Sequence, residues 1–448
     1  MSLCYRGFSR RLFDWTAGKV TFETQAREGV NMMIQSIKKN VVLAAMLAMT
    51  CLALSPSVTT AADKPKGQEI SRVIAKEMTA AQKALQASQW QEALKNLDAA
   101  EQKSPLTAFD KKTIYNFKGF ADVKLGNLKA AQAEFEKVLA TGAADPQEVA
   151  SINRTLFGIA ASTNQFQKAI DYGKQMVDAG TATPDNMAII AQSYYQLKDC
   201  KNAATWSDKA IAATRKAGET PKENLYLFKL QCASDTGDTA TMQAVLQDLI
   251  RLNNKTTYWN TLLRIERQDE RDDHNTLMIY RIMYNTSAMN ADTDYIEMAQ
   301  LLGDAALPGE ADAVLERALA NGVIKDEHKE RTQRLVNALK SRADADKKGL
   351  AQEETEANKS AAGELDVKLG EVYYGFGEWQ KSVDAINKGL QKGSIKHQDE
   401  AYVYLGLANA QLKNFPEAKK AFANLKNVPN ISPRVLRLWT LYSDKLGS

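Results

Sequence analysis

The sequence predicts an all-α chain, a solenoid of antiparallel helix pairs stacked along its length. Three observations carry this. The composition leans to helix, with abundant Ala, Lys, Glu, Gln and Leu and only ten prolines in 448 residues. A helix-period stretch at 115–139, YNFKGFADVKLGNLKAAQAEFEKVL, places Gly119, Ala121 and Ala131 where a core residue would ordinarily be Leu or Phe. Gly in a helix costs about 1 kcal/mol against Ala, so something must approach those backbones closely. The same local pattern then recurs, with anchors at 93, 131, 169, 203, 242, 311, 382 and 418 and steps of 38, 38, 34, 39, 69, 71 and 36. Such a period, with a helix–turn–helix inside each unit, marks a helical repeat array, and two of the steps are close to double.

The N-terminal segment stands apart from this pattern. Lys38 and Lys39 precede an apolar run from Val41 to Leu54, followed by Pro56 and the small-residue tail Val58 to Ala62. This is the layout of a secretory signal peptide over 32–62, cleaved after Ala61 or Ala62. The 14-residue run falls short of the roughly 17–25 residues that span a bilayer as a helix. An uncleaved anchor is the alternative. Cys51 follows Met49 and Thr50 rather than a small residue, which argues against lipid attachment there. Residues 1–31 precede a signal that should begin near Met32 or Met33, and read as an extension from a start codon assigned too early. Residues 1–62 hold seven Lys/Arg and three acids; without them the chain has 51 of each sign and a net charge of zero. No basic stripe points to nucleic acid, and export argues against it.

The repeats take up the rest of the chain. Ala93, Leu97 and Ala100 open the series, followed by Ala131, Phe135 and Val138, then Ala169 with Met176, and Ala203 with Ala210. Met242, Leu246 and Leu249 continue it, then Ala311, Leu315 and Ala318, then Ser382, Ile386 and Gly389, and finally Ala418, Phe422 and Leu425. The stretch at 115–139 resembles a tetratricopeptide repeat, a pair of antiparallel helices of about 34 residues. Tyr115 stands at that family's large first-helix residue, Gly119 at its small one, Leu125-Gly126 at its inter-helix turn, and Ala131 and Phe135 at its second-helix pair. Tyr194, Tyr195 and Leu197 with Ala203 match about as well, as do Leu405-Gly406 with Leu412, Ala418 and Phe422. The small residues Gly119, Ala131, Ala203, Gly406 and Ala418 are then small because the helices of one hairpin cross there.

The resemblance implies a right-handed superhelical solenoid of about nine units in two arrays. After a short linker at 63–69, the first array is expected at 70–325. The double step after Met242 is filled by a weaker copy at 258–289, with apolar positions Trp259, Leu262, Leu263 and Ile265, then Leu277, Ile279, Ile282 and Met283. The segment 326–362 is charged and Ala-rich, and reads as a long exposed helix or flexible joint. The second array is expected at 363–448. It ends in a capping helix with Ser432 as N-cap, Pro433 at the first helical position, and Val435, Leu438, Trp439 and Tyr442 on one side.

Catalytic chemistry is hard to find. His274, His328 and His397 lie in polar contexts without partners at metal-ligand spacing, so no metal site is expected. YYGFGEW around Gly375 and Gly377 lacks the Lys and Ser/Thr of a phosphate loop. Asp269-Glu270 and Asp272-Asp273 read as a solvated turn. No catalytic residue and no cofactor is predicted. Two cysteines remain after the signal, Cys200 and Cys232. Neighbouring first helices of a tetratricopeptide stack run side by side, which implies a disulfide between them in an oxidising compartment; two independent buried thiols are the alternative.

What remains is surface. First helices of this family line a concave face that binds an extended peptide or a partner helix. Carried over, that face comprises Asn116, Phe120, Lys124, Arg154, Gln192, Tyr195, Leu227, Gln231, Asp235, Glu371 and Tyr374. Phe120, Tyr195, Leu227 and Tyr374 are the expected anchors, because apolar and aromatic groups carry most binding energy; the alternative for each is packing between units. The Lys/Asn pattern that holds a carboxylate tail in some members is absent. The expected function is a non-catalytic periplasmic scaffold for a protein or peptide, with no nucleic acid and with membrane contact only through the signal segment or a partner. Signal-bearing members look similar to periplasmic repeat proteins of Gram-negative bacteria that serve envelope assemblies, including those beside TonB-type uptake systems. The competing readings are a cell-wall hydrolase built on a solenoid and a membrane-tethered assembly factor.

Overall fold

The computed structural model describes residues 69–268, 270–428 and 431–447; the expected signal segment and the extension before it lie outside the described residues. Twenty α-helices follow one another, with no strand among the described residues. In chain order they make eight helix–turn–helix pairs, two helices on either side of the turn at Gly237, one long unpaired helix and a terminal helix. They divide into two compact units, one ending at Gly237 and the other starting at Asp238.

The first unit pairs α1 (Ala75–Gln86) with α2 (Trp90–Glu101), α3 (Ala108–Leu125) with α4 (Leu128–Ala140), α5 (Pro146–Ser162) with α6 (Phe166–Asp178), and α7 (Pro184–Gln196) with α8 (Cys200–Lys216), then adds α9 (Glu223–Thr236). Each helix packs chiefly on the helices just before and after it in the chain, which is the one-dimensional contact pattern of a solenoid. The starts are set by local chemistry. Thr107 and Asp110 close a capping box at α3, Asp145 and Glu148 another at α5, where Pro146 takes the first turn. Between hairpins, Lys118 reaches back from α3 to Asp98 (2.5 Å) and Glu101, and the Tyr172 hydroxyl donates to Glu136 at 2.7 Å.

The second unit comprises α10 (Thr239–Leu252), α11 (Thr256–Gln268), α12 (Asp273–Asn285), α13 (Asp292–Asp304), α14 (Pro308–Ala320), α15 (Asp326–Lys359), α16 (Glu364–Gly375), α17 (Trp379–Lys392), α18 (Gln398–Gln411), α19 (Phe415–Ala423) and α20 (Pro433–Lys445). The weak copy at 258–289 does form two helices, α11 and α12. Ser432 caps α20 as expected, accepting from the Val435 N–H at 3.2 Å. This helix covers more than the last hairpin. It also packs on α12 and α10, Trp259 of α11 meets Tyr442 edge-on at 6.5 Å, and the Lys445 ammonium donates to the Arg251 carbonyl at 2.6 Å. The second unit therefore closes on itself.

The backbone repeats more regularly than the side chains. Each sequence anchor lies five residues after a left-handed residue: Ser88, Gly126, Asn164, Lys198, Gly237, Ala306, Gly377 and Lys413. The second helix of the pair begins two residues after it in every case. At Gly126 the Asn127 N–H donates to the Asp122 carbonyl at 2.8 Å, and the same bond recurs from Gln165 to Ala160 and from Asn414 to Asn409. These bonds satisfy the carbonyls that a helix end leaves open.

One expectation is refined and one corrected. The close partner of Gly119 is the ring of Phe135, whose atoms lie 2.9 Å from where a β-carbon would stand; Ala131 is buried one turn away. The contact recurs as Gly370 with Ile386 and Gly406 with Phe422, each pair sixteen residues apart, and it is inverted at Phe157 with Gly173. Second, 326–362 does not join two arrays. It is a single 34-residue helix inside the second unit, and the division falls at Gly237 instead. Its first half docks Leu339 against Gly303, with Arg342 donating to the Gly303 carbonyl at 2.9 Å. Its last turn packs Ala357 on Leu369 and Tyr373. A helix that reads as polar in sequence is held by this narrow stripe of small and apolar residues.

A β-carbon at Gly406 would stand 2.4 Å from the Phe422 ring, which is itself stacked on Trp439 at 5.0 Å and has no room to retreat. Gly406→Ala is expected to destabilise by about 1–3 kcal/mol despite its better helix propensity. Adding Phe422→Leu should recover part of that loss in urea titrations; a neutral Gly406→Ala would contradict the close-contact account.

Candidate functional site

The expected groove residues separate by burial. In the first unit Phe120, Gln192, Leu227 and Gln231 are buried, Asn116, Lys124 and Tyr195 half-buried, and Arg154 and Asp235 exposed. Phe120 meets Trp90 edge-on at 5.8 Å under the Lys124 ammonium, and Tyr195 stacks on Phe228 at 4.8 Å. The anchors Phe120 and Leu227 thus pack between helices, which is a correction to their expected display. Gly406, Ala131, Ala203 and Ala418 are buried as small packing residues should be. Cys200 at the start of α8 and Cys232 in α9 form a disulfide, with their Cα atoms 5.4 Å apart.

Glu371 and Tyr374 are corrected more fully, for the closure of the second unit buries both. They belong to a polar cluster around Arg281, whose side chain is 0% exposed. The Arg281 guanidinium donates to the Tyr404 hydroxyl, which donates to Glu310 at 2.5 Å, while Arg281 Nε lies 3.5 Å from the other Glu310 oxygen. Tyr374 meets Tyr404 edge-on at 5.2 Å. Beside them His274 of α12 bonds Asp399 of α18 at 2.6 Å, with Glu400 3.4 Å from its other nitrogen. Burial, then the Glu400 charge, pushes the Glu371 carboxyl up to about 8, with Arg281 opposing. The bonds to Asp399 and Glu400 raise His274 to about 9, against its desolvation. Burial would raise Asp399 and Glu400; their bonds to His274 more than offset this and hold both below the usual carboxylate range.

Glu310 and Tyr374 connect this cluster to a cleft of about 500 Å³ in the same unit. Its walls come from α12, α14, α15, the α16–α17 turn and the end of α18. Tyr284, Phe376 and Trp379 supply aromatic wall, and Trp379 is 36% exposed. Charge of both signs converges on it: Asp312, Glu316 and Asp344 against Arg317, Lys340 and Lys347. Of its lining, Tyr374 alone was among the expected binding residues; the rest come from 284 to 411 and share no motif, and the aromatic turn YYGFGEW reads in sequence only as a turn. Among the described residues no group of His, Cys, Asp and Glu is arranged to hold a metal ion.

Repeated antiparallel hairpins crossed on small residues make this an all-α solenoid of tetratricopeptide-like fold. No family profile matches the chain, and no curated protein is similar to it. Among solved structures it is similar to a tetratricopeptide repeat protein from Parabacteroides merdae, at 11% identity over 60% of this chain and 99% of that one, with a TM-score of 0.30. It is also similar to the C-terminal part of a repeat-containing protein from Cytophaga hutchinsonii (13% identity, 80% and 97% covered, TM-score 0.28) and to Naa15/Naa10 bound to HypK (12%, 94% and 65%, TM-score 0.34). Superpositions this loose carry no argument of their own; the class rests on the hairpins.

Cys200→Ser/Cys232→Ser opens a link between residues 32 apart, and loop-closure entropy puts its contribution at about 3.5 kcal/mol. Urea unfolding of the first unit should shift by that order, and dithiothreitol should reproduce the shift in wild type; no shift with either would remove any stabilising role for the bond. In the second unit the folded state binds protons more tightly than the unfolded chain at Glu371 between its ordinary 4.5 and about 8, and at His274 between 6.5 and about 9. Stability should therefore fall as pH rises through these ranges. Glu371→Gln should flatten the decline below about pH 8, read as hydrogen-exchange protection of α16 and α18 amides. An equal decline in wild type and variant would refute the assignment.

Proposed function

We propose that this chain is a non-catalytic scaffold, exported to the periplasm, that binds a protein or peptide. The cleft of the second unit carries the reading. About 500 Å³ walled by aromatic rings and convergent charges lies in the size range of recognition pockets, and its acids sit beside cations rather than in a nucleophile–base pair. The first unit adds a face on which Arg154 is exposed and Tyr195 half-exposed. The signal-like segment 32–62 and the cysteine pair both support an oxidising compartment beyond the inner membrane. An envelope assembly, such as one beside a TonB-type uptake system, is the setting this export suggests.

Affinity capture from native envelope extract, with the retained proteins identified by mass spectrometry, tests the reading. Trp379→Ala, at the cleft rim, should lose a partner that wild type retains, with its thermal unfolding unchanged. Retention of the same proteins by Trp379→Ala and by Arg154→Ala/Tyr195→Ala would place binding on neither surface. Capture of nothing specific by wild type would end the scaffold reading.

A further inference from the structure

Beyond Glu310, which Arg281 meets, the three acids and three cations of the cleft are equal in number but are not all paired with one another. Glu310 is satisfied by Arg281 and Tyr404, and Glu316 by Lys340 at 3.7 Å. The other two cations are held by rings: Arg317 lies over Tyr284 at 4.4 Å and Lys347 over Phe376 at 5.8 Å. Asp312 and Asp344 are left without an ion pair or hydrogen bond among the described residues. One Asp312 oxygen, Oδ1, is shut off from solvent with no donor reaching it, a costly state for a carboxylate. Burial, then the charges of Glu316 and Asp344, raise its pKa, with Lys340 opposing. A second observation is independent of the acids. Tyr374 lines the same cleft, is 9% exposed, and its hydroxyl makes no hydrogen bond among the described residues. Trp379 lines the cleft too, and among the described residues no cation lies over its ring, unlike those of Tyr284 and Phe376.

We propose that the cleft receives a cationic side chain from an extended segment of a partner protein, arginine in preference to lysine, with its guanidinium against Asp312 and Tyr374 and its neighbour on Trp379. This deepens the scaffold reading and rests on it. The planar fork of arginine presents several donors in fixed directions, which suits one carboxylate and one phenol better than a single ammonium. Its flat face also stacks on an indole. A negatively charged segment is disfavoured, because it would meet Asp312 and Asp344 before any uncommitted cation.

Calorimetric titration of the full chain tests this with capped pentapeptides that differ only at the central residue: arginine, lysine, citrulline or glutamate. The arginine peptide should bind about tenfold or more tighter than the citrulline peptide, which keeps the shape and loses the charge. Added salt should narrow the gap, and Asp312→Asn should remove it. Asp344→Asn, at an exposed position that tolerates change, should weaken it partially and guards against misfolding of the first variant. Equal affinities for arginine and citrulline, preference for glutamate, or no binding of any peptide would overturn the proposal, as would spermidine binding as tightly as the arginine peptide. Envelope partners that stay bound to Asp312→Asn while Trp379→Ala loses them would leave the scaffold reading standing and remove the cation from it.

Discussion

The fold depends on how closely the two helices of a hairpin approach. Where Gly119 faces Phe135 and Gly406 faces Phe422, an aromatic ring lies on the bare backbone of the opposite helix. Helix axes pack 8–10 Å apart according to the side chains between them, so glycine against a ring sets both separation and register. The inverted pair, Phe157 with Gly173, shows that either helix can supply the ring. It also couples hairpins, because Gly173 lies under Ile190 of the next one. A constraint passed from pair to pair in this way needs no central core, which suits a chain whose long-range order is repetition.

The second unit adds a constraint that repetition does not supply. An arginine with no exposed surface is expensive unless its charge is met, and Glu310 meets it, with Tyr404, 123 residues along the chain, bonded to both. Removing one partner would strand a buried charge, so the return of α18 onto α12 is enforced by electrostatics as well as by packing. The histidine pair between the same helices works in the same direction. Three carboxylates, Glu310, Glu371 and Glu400, act on one guanidinium, and the excess is relieved by keeping Glu371 protonated near neutrality.

The hairpin repeat was legible because helix packing acts at fixed short spacing. Ala93, Ala131, Ala203 and Ala418 announce themselves by being small, and Ser432-Pro433 announces a helix start. The turns were half legible. Gly126 is the expected left-handed residue, yet Lys198, Ala306 and Lys413 hold the same conformation at a cost the hairpin overrides. The unit boundary was misplaced for a related reason. Segment 326–362 looked like a joint because it is charged, while five buried residues, Thr332, Val336, Leu339, Ala343 and Ala357, suffice to dock it. Closure of the second unit left no mark at all, since Arg281 and Tyr404 look like ordinary helix residues until the chain folds back. Hence Tyr374 and Glu371 were assigned to an open face that this unit does not have.

Closure is also what makes the cleft a defined object. An open groove presents side chains that remain mobile until a partner arrives, and ordering them lowers the affinity. Here Glu310 and Tyr374 are set by the arginine cluster behind them, Phe376 is pressed against Gly309, and α15 is pinned by Arg342 at one side. The walls are thus positioned before binding, and two of the cleft's cations are engaged away from Asp312, Lys340 with Glu316 and Lys347 over Phe376. A chain with equal numbers of acids and bases beyond residue 62 acquires local polarity by this route. Packing decides which charges are paired internally, and Asp312 and Asp344, unpaired among the described residues, line the cleft.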